Sequence, residues 1–203
     1  MSGAASRSRL LELRALLESA GRGREVLERK RELLLYELRR TTARLVEERL
    51  RVLPALATAR EALTAARIEL GGAALDAAVL AQGEEAAVEL RIGSIVGTPV
   101  PRLMARPAAF HPAYGPAGTA SSLDVAGAAF AALLPDLARL AELETTAAGL
   151  RRGLRKTARR LSALERVLIP AYQADLAAVL GGLEEDERDE AVRRKTWLAA
   201  KAI

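Results

Sequence analysis

Apolar residues recur along the first part of the chain at alternating steps of three and four. Leu10, Leu13, Leu17 and Ala20 begin the series, and Leu27, Leu34, Leu38, Leu45, Val52 and Ala59 continue it, with charges on most positions between. This is the seven-residue repeat of a coiled coil, a narrow apolar seam on an otherwise polar helix. The spacing predicts a helix from about Ser8 to about Leu70, and ~60 residues at the helical rise would form a rod of roughly 90 Å. Arg24 and Arg31 fall on the seam, and Gly21, Gly23 and Pro54 weaken the helix. The pair Gly71-Gly72 predicts its end, with a short helical piece from Ala73 to Glu85 beyond it.

A second seam runs through the last part of the chain. Leu137, Leu140, Leu143, Ala147, Leu150 and Leu154 lead to Leu161, Leu164 and Leu168, and then to Leu176, Val179 and Leu183. Ser121, with Asp124 three residues on, offers a start resembling a capping box. Pro135 marks where the long helix proper begins. Pro170 sits inside the pattern, where a proline costs ~3 kcal/mol or more and bends the helix. Its neighbour Ile169 is biased away from helical geometry.

Between the seams the period changes to two. Val88, Leu90 and Ile92 alternate, Gly97-Thr98-Pro99 interrupts, and Val100 to Met104 follows with Pro101 and Arg102 inside it. This predicts a β-hairpin, then a proline- and glycine-rich loop over 105–120. The fold class is therefore all-α dominated: a long antiparallel two-helix coiled coil with a small central hairpin and loop head. Its segments are an N-terminal helix over 1–72, the head over 73–120 and a C-terminal helix over 121–203. Positions summing to about 200 would face each other. That register sets the acidic stretch Glu184 to Glu190 beside Arg7, Arg9 and Arg14, and Arg151 to Arg160 beside Arg39 to Arg44.

Composition narrows the choices. Half of the residues are apolar but only 3% are aromatic, so thin helix-on-helix packing suits the chain better than a thick core. There is no cysteine and one histidine, which excludes disulfides, thiolate metal sites and histidine clusters. The net charge of +5 is interleaved along the chain, as on a solvated helical surface. The longest apolar run, Val125 to Pro135, falls short of the ~20 residues of a membrane span. The charged N-terminus holds no signal-peptide core. These features predict a soluble intracellular protein.

No catalytic, cofactor-binding or metal-binding residues emerge. Gly149 to Thr157 ends in Lys-Thr like a phosphate loop, but Arg155 stands where the last glycine belongs and no strand precedes it. Gly21 to Val26 starts like a dinucleotide fingerprint and then has valine for the third glycine. His111 lies in a loop without an acid or nucleophile near it in sequence. The pairs Glu47-Glu48 and Glu184-Glu185 belong to charged helical faces. The chain is expected to perform no reaction on its own. One electrostatic feature stands out: Arg151, Arg155 and Arg159 form a helical row, and Arg152, Lys156 and Arg160 form its neighbour. This belt reads as a solvated face, as a dock for an acidic protein surface, or as a contact to nucleic-acid phosphate. The scarcity of aromatics disfavours single-strand binding by base stacking.

Four blocks of the chain together carry a family likeness. The N-terminal helix holds Lys30-Arg31 with Leu33-Leu34, and the middle segment ends in Val100-Pro101-Arg102. The stretch from Tyr114 through Leu140 opens the second helix, and the C-terminal part holds Ala163-Leu164-Glu165 and Leu168-Ile169-Pro170. In this order and spacing the sequence resembles the D-subunit family of V-type and archaeal-type (A-type) rotary ATPases, the central rotor shaft. It departs modestly, with Ser162 where the family often has asparagine and an alanine-heavy C-terminal part. The resemblance implies a non-catalytic component that transmits rotation for ion transport and ATP synthesis or hydrolysis. Both chain ends would enter the hexameric ring of catalytic A and nucleotide-binding B subunits. The hairpin end would meet the F subunit and the funnel-like C subunit (called d in eukaryotes). It further implies a cytoplasmic protein peripheral to the membrane, with no cofactor, no nucleic acid and no membrane insertion. Lys30, Arg31 and the belt are then candidate partner contacts, Pro170 a candidate shaft bend, and Val88, Leu90, Ile92, Val100, Pro101 and Arg102 the candidate head hairpin. The competing reading is a coiled-coil interaction protein of another kind, which binds nucleic acid or acidic partners through Arg151–Arg160.

Overall fold

The computed structural model describes residues 6–82, 88–105, 110–115 and 119–201. Helix α1 spans Arg7–Leu70, α2 Gly72–Gln82 and α3 Ser121–Ala163. A five-residue π-helical turn over Leu164–Leu168 joins α3 to α4, Ile169–Lys201. Strands β1, Val88–Ile95, and β2, Thr98–Ala105, form one antiparallel sheet. The chain divides into two compact units, one of residues 1–32 with 154–203 and the other of residues 33–153.

In the second unit α1 runs antiparallel to α3. Its buried positions are Leu34, Thr41, Val52, Ala59 and Ala66. Seven-residue steps separate them, except for eleven between Thr41 and Val52. That is a four-residue insertion in the heptad, which locally unwinds a coiled coil. The extra turn brings Glu48 into the seam, where its carboxylate accepts from Arg51 at 2.9 Å and from Arg139 at 3.4 Å. Arg51 also bonds Asp136 at 2.7 Å, and Arg49 bonds Glu144 at 2.6 Å. With the Ser122–Glu69 hydrogen bond, these pairs put the register nearer a sum of about 190 than the expected 200.

Small residues allow the close approach. Val52, Ala59 and Leu133 form one core, flanked by Leu56, Phe130, Leu137 and Leu140. Ala66, Leu75, Ala78 and Leu123 form another, where α2 folds back beside the end of α1. Gly71 makes that turn: its φ of +76° is the left-handed conformation of a helix cap, and its N–H donates to the Arg67 carbonyl at 3.0 Å. The predicted end at Gly71-Gly72 is thus met, and α2 covers the described part of the piece expected to Glu85, the rest lying outside the described residues.

Three local expectations change. Pro135 does not open α3, which already starts at Ser121 and carries Pro135 inside it. At the expected capping box of Ser121 and Asp124, the Asp124 carboxylate accepts from the Tyr114 hydroxyl at 2.7 Å, and the neighbouring Ser122 hydroxyl donates to Glu69. The hairpin is not broken at Gly97-Thr98-Pro99. Val96 and Gly97 alone make the turn, both at positive φ (51° and 68°), and Thr98 and Pro99 already pair with Ile95 and Ser94. Two central residues at positive φ are the type I′ geometry that matches strand twist.

In the first unit the seam carries Leu13 and Ala20 on α1, with Thr157 and Leu161 on α3. Arg7 pairs with Glu187 at 3.7 Å, as the acidic stretch predicts. Arg9 instead bonds Glu12 at 2.8 Å on its own helix, and that bond raises its pKa further.

Candidate partner-contact surfaces

The hairpin lies against α3 through β2. Thr98 and Val100 are buried, whereas no residue of β1 is. Val88, Leu90 and Ile92 share one face by their even spacing, and all three are exposed, Ile92 to 78%. Pro101 is half-buried and Arg102 exposed. The predicted hairpin residues therefore split: Val100 anchors, and the β1 residues face outward.

Two glycines of α3 receive the hairpin tip. A β-carbon at Gly149 would stand 3.5 Å from the Pro99 carbonyl oxygen, and one at Gly153 would stand 2.7 Å from the Thr98 hydroxyl oxygen. The stretch that fails as a phosphate loop thus holds its glycines for packing. On the outer edge of β2, Pro99 and Pro101 have no N–H, and the next N–H of the same parity, Leu103, donates to the Glu142 carboxylate at 2.7 Å.

Arg151, Arg152, Arg155, Lys156, Arg159 and Arg160 are all exposed, and none has an ion-pair partner among the described residues. This contrasts with Arg49, Arg51 and Arg139, which are held by carboxylates across the helix pair. Arg51 is held twice, and its hydrogen bonds to Glu48 and then Asp136 raise its pKa. Lys30 is half-buried and Arg31 exposed. A groove of about 790 Å³ between Arg44, Arg51, Arg139, Glu142 and β2 is walled by charges of both signs, of which Arg51 and Arg139 pair with Glu48. It presents no nucleophile. His111 is exposed, and its carbonyl accepts from Gln82 at 2.8 Å. Among the described residues no group of three acidic, histidine or cysteine side chains could hold a metal ion. No described helix is long and apolar enough to cross a membrane.

Pro170 lies two residues beyond the π turn. The Ile169 N–H donates to the Leu164 carbonyl, five residues back, and Ile169 is right-handed helical (φ −62°, ψ −47°). The bias expected before proline is overridden, because helix on both sides holds the residue. A π turn is wider than a regular one, which eases the clash that a proline ring makes with the carbonyl four residues back. Sequence reasoning passed over this turn, although its signal is present. Leu168 to Leu176 is eight residues, one more than a heptad.

A profile of the family described as the ATP synthase D subunit matches residues 9–199. The chain is 31% identical over 192 residues to the A-type ATP synthase D subunit of Methanopyrus kandleri, covering 94% of this chain and 83% of that one. It is 32% identical over 193 residues to the A-type ATP synthase D subunit of Methanosphaera stadtmanae, covering 94% and 90%. It is 32% identical over 200 residues to the V-type ATP synthase D subunit of an Anaeromyxobacter species, covering 97% and 93%.

Proposed function

The chain belongs to the ATP synthase D-subunit family, and from that premise we propose that it is the central shaft of an A/V-type rotary ATPase. One observation carries this reading: the family match runs through nearly the whole chain, both helical seams and the hairpin included. The chain transmits rotation between a ring of A and B subunits and the ion-translocating rotor of the membrane. It contributes no catalytic residue and binds no cofactor, so nucleotide and its metal ion belong to the ring.

The surfaces have separate uses on this reading. The two chain ends enter the ring, and the hairpin end meets the F subunit and the socket formed by the C subunit. The protein is cytoplasmic and held at the membrane only through its partners. Arg151 to Arg160 and Lys30-Arg31 contact acidic surfaces of the ring; the charges of the belt are exposed and have no ion-pair partner among the described residues, which leaves them able to pair across an interface. Pro170 sets the local course of the shaft.

The deciding measurement is the native mass of this chain purified with its A, B and F subunits. One copy in an assembly with three A and three B subunits supports the shaft. Failure to join the ring, together with salt-dependent binding to DNA, would make the basic belt a phosphate contact instead.

A further inference from the structure

Unit one contains a place where several independent features weaken the helix pair at one level. The inward positions of α3 and α4 run Thr157, Leu161, Leu164, then Ile169, Tyr172, Leu176, Val179 and Leu183, all buried or half-buried. Every step is three or four except the five between Leu164 and Ile169, and that step is the π turn. The seam therefore holds one residue more than a heptad allows, and the turn takes up the excess. Leu168, which an unbroken heptad would turn inward, is 40% exposed, and Val167 is 63% exposed. No residue of the turn is buried. Pro170 removes one more backbone donor just beyond it.

The facing stretch of α1 is weak at the same level. Gly23 faces Leu164, whose Cδ1 would lie 3.9 Å from a β-carbon there, and a β-carbon at Gly21 would meet nothing within 4 Å. Glycine is among the poorest helix formers. From Gly21 to Glu32 no residue of α1 is buried, and after Leu161 none of the described side chains of the turn and α4 is. Few buried apolar contacts and an interrupted hydrogen-bond ladder are the physical marks of low local stability.

We propose that the turn Leu164–Leu168 and the Gly21–Gly23 stretch opposite it form a compliant joint, about which α4 swings and twists relative to the end of α3. The extra residue is its cause: it forces a π turn, and the π turn exchanges i−4 for i−5 bonds with little obstruction from packing. The joint is a property of the chain by itself. Its use under torque, letting the shaft tip lag and then catch up, rests on the shaft reading above.

The test exploits the extra residue. Deleting Val167 restores four-residue spacing from Leu164 to Ile169 and leaves the inward set unchanged. The chain has no cysteine, so Ala158→Cys and Ala178→Cys can be spin-labelled cleanly, roughly 30 Å apart along the helix. Both positions are exposed. The full chain should show a broad distance distribution, and the deletion should narrow it at least twofold. Pro170→Ala alone should leave it broad, because the extra residue remains. Equal widths with and without Val167 would overturn the joint, and narrowing by Pro170→Ala alone would overturn the role of the extra residue. Hydrogen exchange on the unaltered chain gives a second reading whatever the variants do. Amides of 165–172 should exchange at least tenfold faster than those of 154–161, and equal protection would overturn the proposal. In a reconstituted complex, a deletion variant that assembles should hydrolyse ATP at least twofold more slowly. If the unaltered chain itself failed to assemble, the shaft reading would fall and the joint would stand.

Discussion

Gly153 of α3 and Thr98 of β2 approach so closely that a β-carbon on the glycine would stand 2.7 Å from the threonine hydroxyl oxygen and 3.4 Å from its methyl carbon. Gly153→Ala should therefore destabilise the protein by about 1–3 kcal/mol through overpacking, less the ~1 kcal/mol that alanine returns within a helix. In a Thr98→Ala background the clash is gone, and the same substitution should become stabilising. Urea unfolding of the four proteins in this cycle checks it. A loss that persists without Thr98 would mean that the hairpin does not seat here.

Val96 holds a conformation that β-branched residues rarely adopt, φ 51° at the first central position of the hairpin turn. Asparagine tolerates it and is favoured there before glycine. Val96→Asn should raise stability by about 1 kcal/mol, seen as a higher melting temperature. A lower one would show that the half-buried valine packs against something worth more than the strain.

Tyr114 answers to pH. Burial, and then its hydrogen bond to Asp124, pushes its hydroxyl up to about 12 from 10.0. The folded protein thus holds the proton more tightly than the unfolded chain. The stabilisation is complete below pH 10 and is lost as pH rises toward about 12. Tyr114→Phe should flatten the stability curve over that window and remove the last phase of phenolate absorbance. An unchanged curve would mean that the proton and the fold are not linked.

The belt predicts a salt effect on assembly. Reversing Arg151, Arg155 and Arg159 to glutamate should weaken joining to the A and B subunits by at least about tenfold at low salt. The deficit should shrink as salt rises, since screening removes attraction and repulsion alike. Equal assembly of both proteins at every ionic strength would leave the belt a solvated face.

The seams and the hairpin are legible in the sequence because both rest on periodicity. Leu13, Leu34 and Leu150 fall where the heptad puts them and are fully buried. The turn at Val96-Gly97 is displaced by one residue in the sequence reading, since Pro99 after Gly97 looks like a break; Pro99 and Pro101 both lie in β2. They are tolerated because their nitrogens point away from β1. Gly149 and Gly153 have no readable purpose in their own segment: what they make room for is some fifty residues away in the chain. The eleven-residue step from Thr41 to Val52 is readable only once burial shows which positions face inward. The eight from Leu168 to Leu176 is visible in the sequence itself, but Pro170 draws the eye away from it.

The prolines of β2 and the carboxylate of Glu142 have a consequence for the free chain. A two-stranded sheet normally offers two templates for further strands, and unlimited stacking needs both. Here one side offers no free donor from Pro99 to Leu103, two residues having none and the third's being spent. A second molecule would add more readily to β1. Two copies meeting there would satisfy each other and close by twofold symmetry, so such self-association ends at a pair and does not run on into fibres.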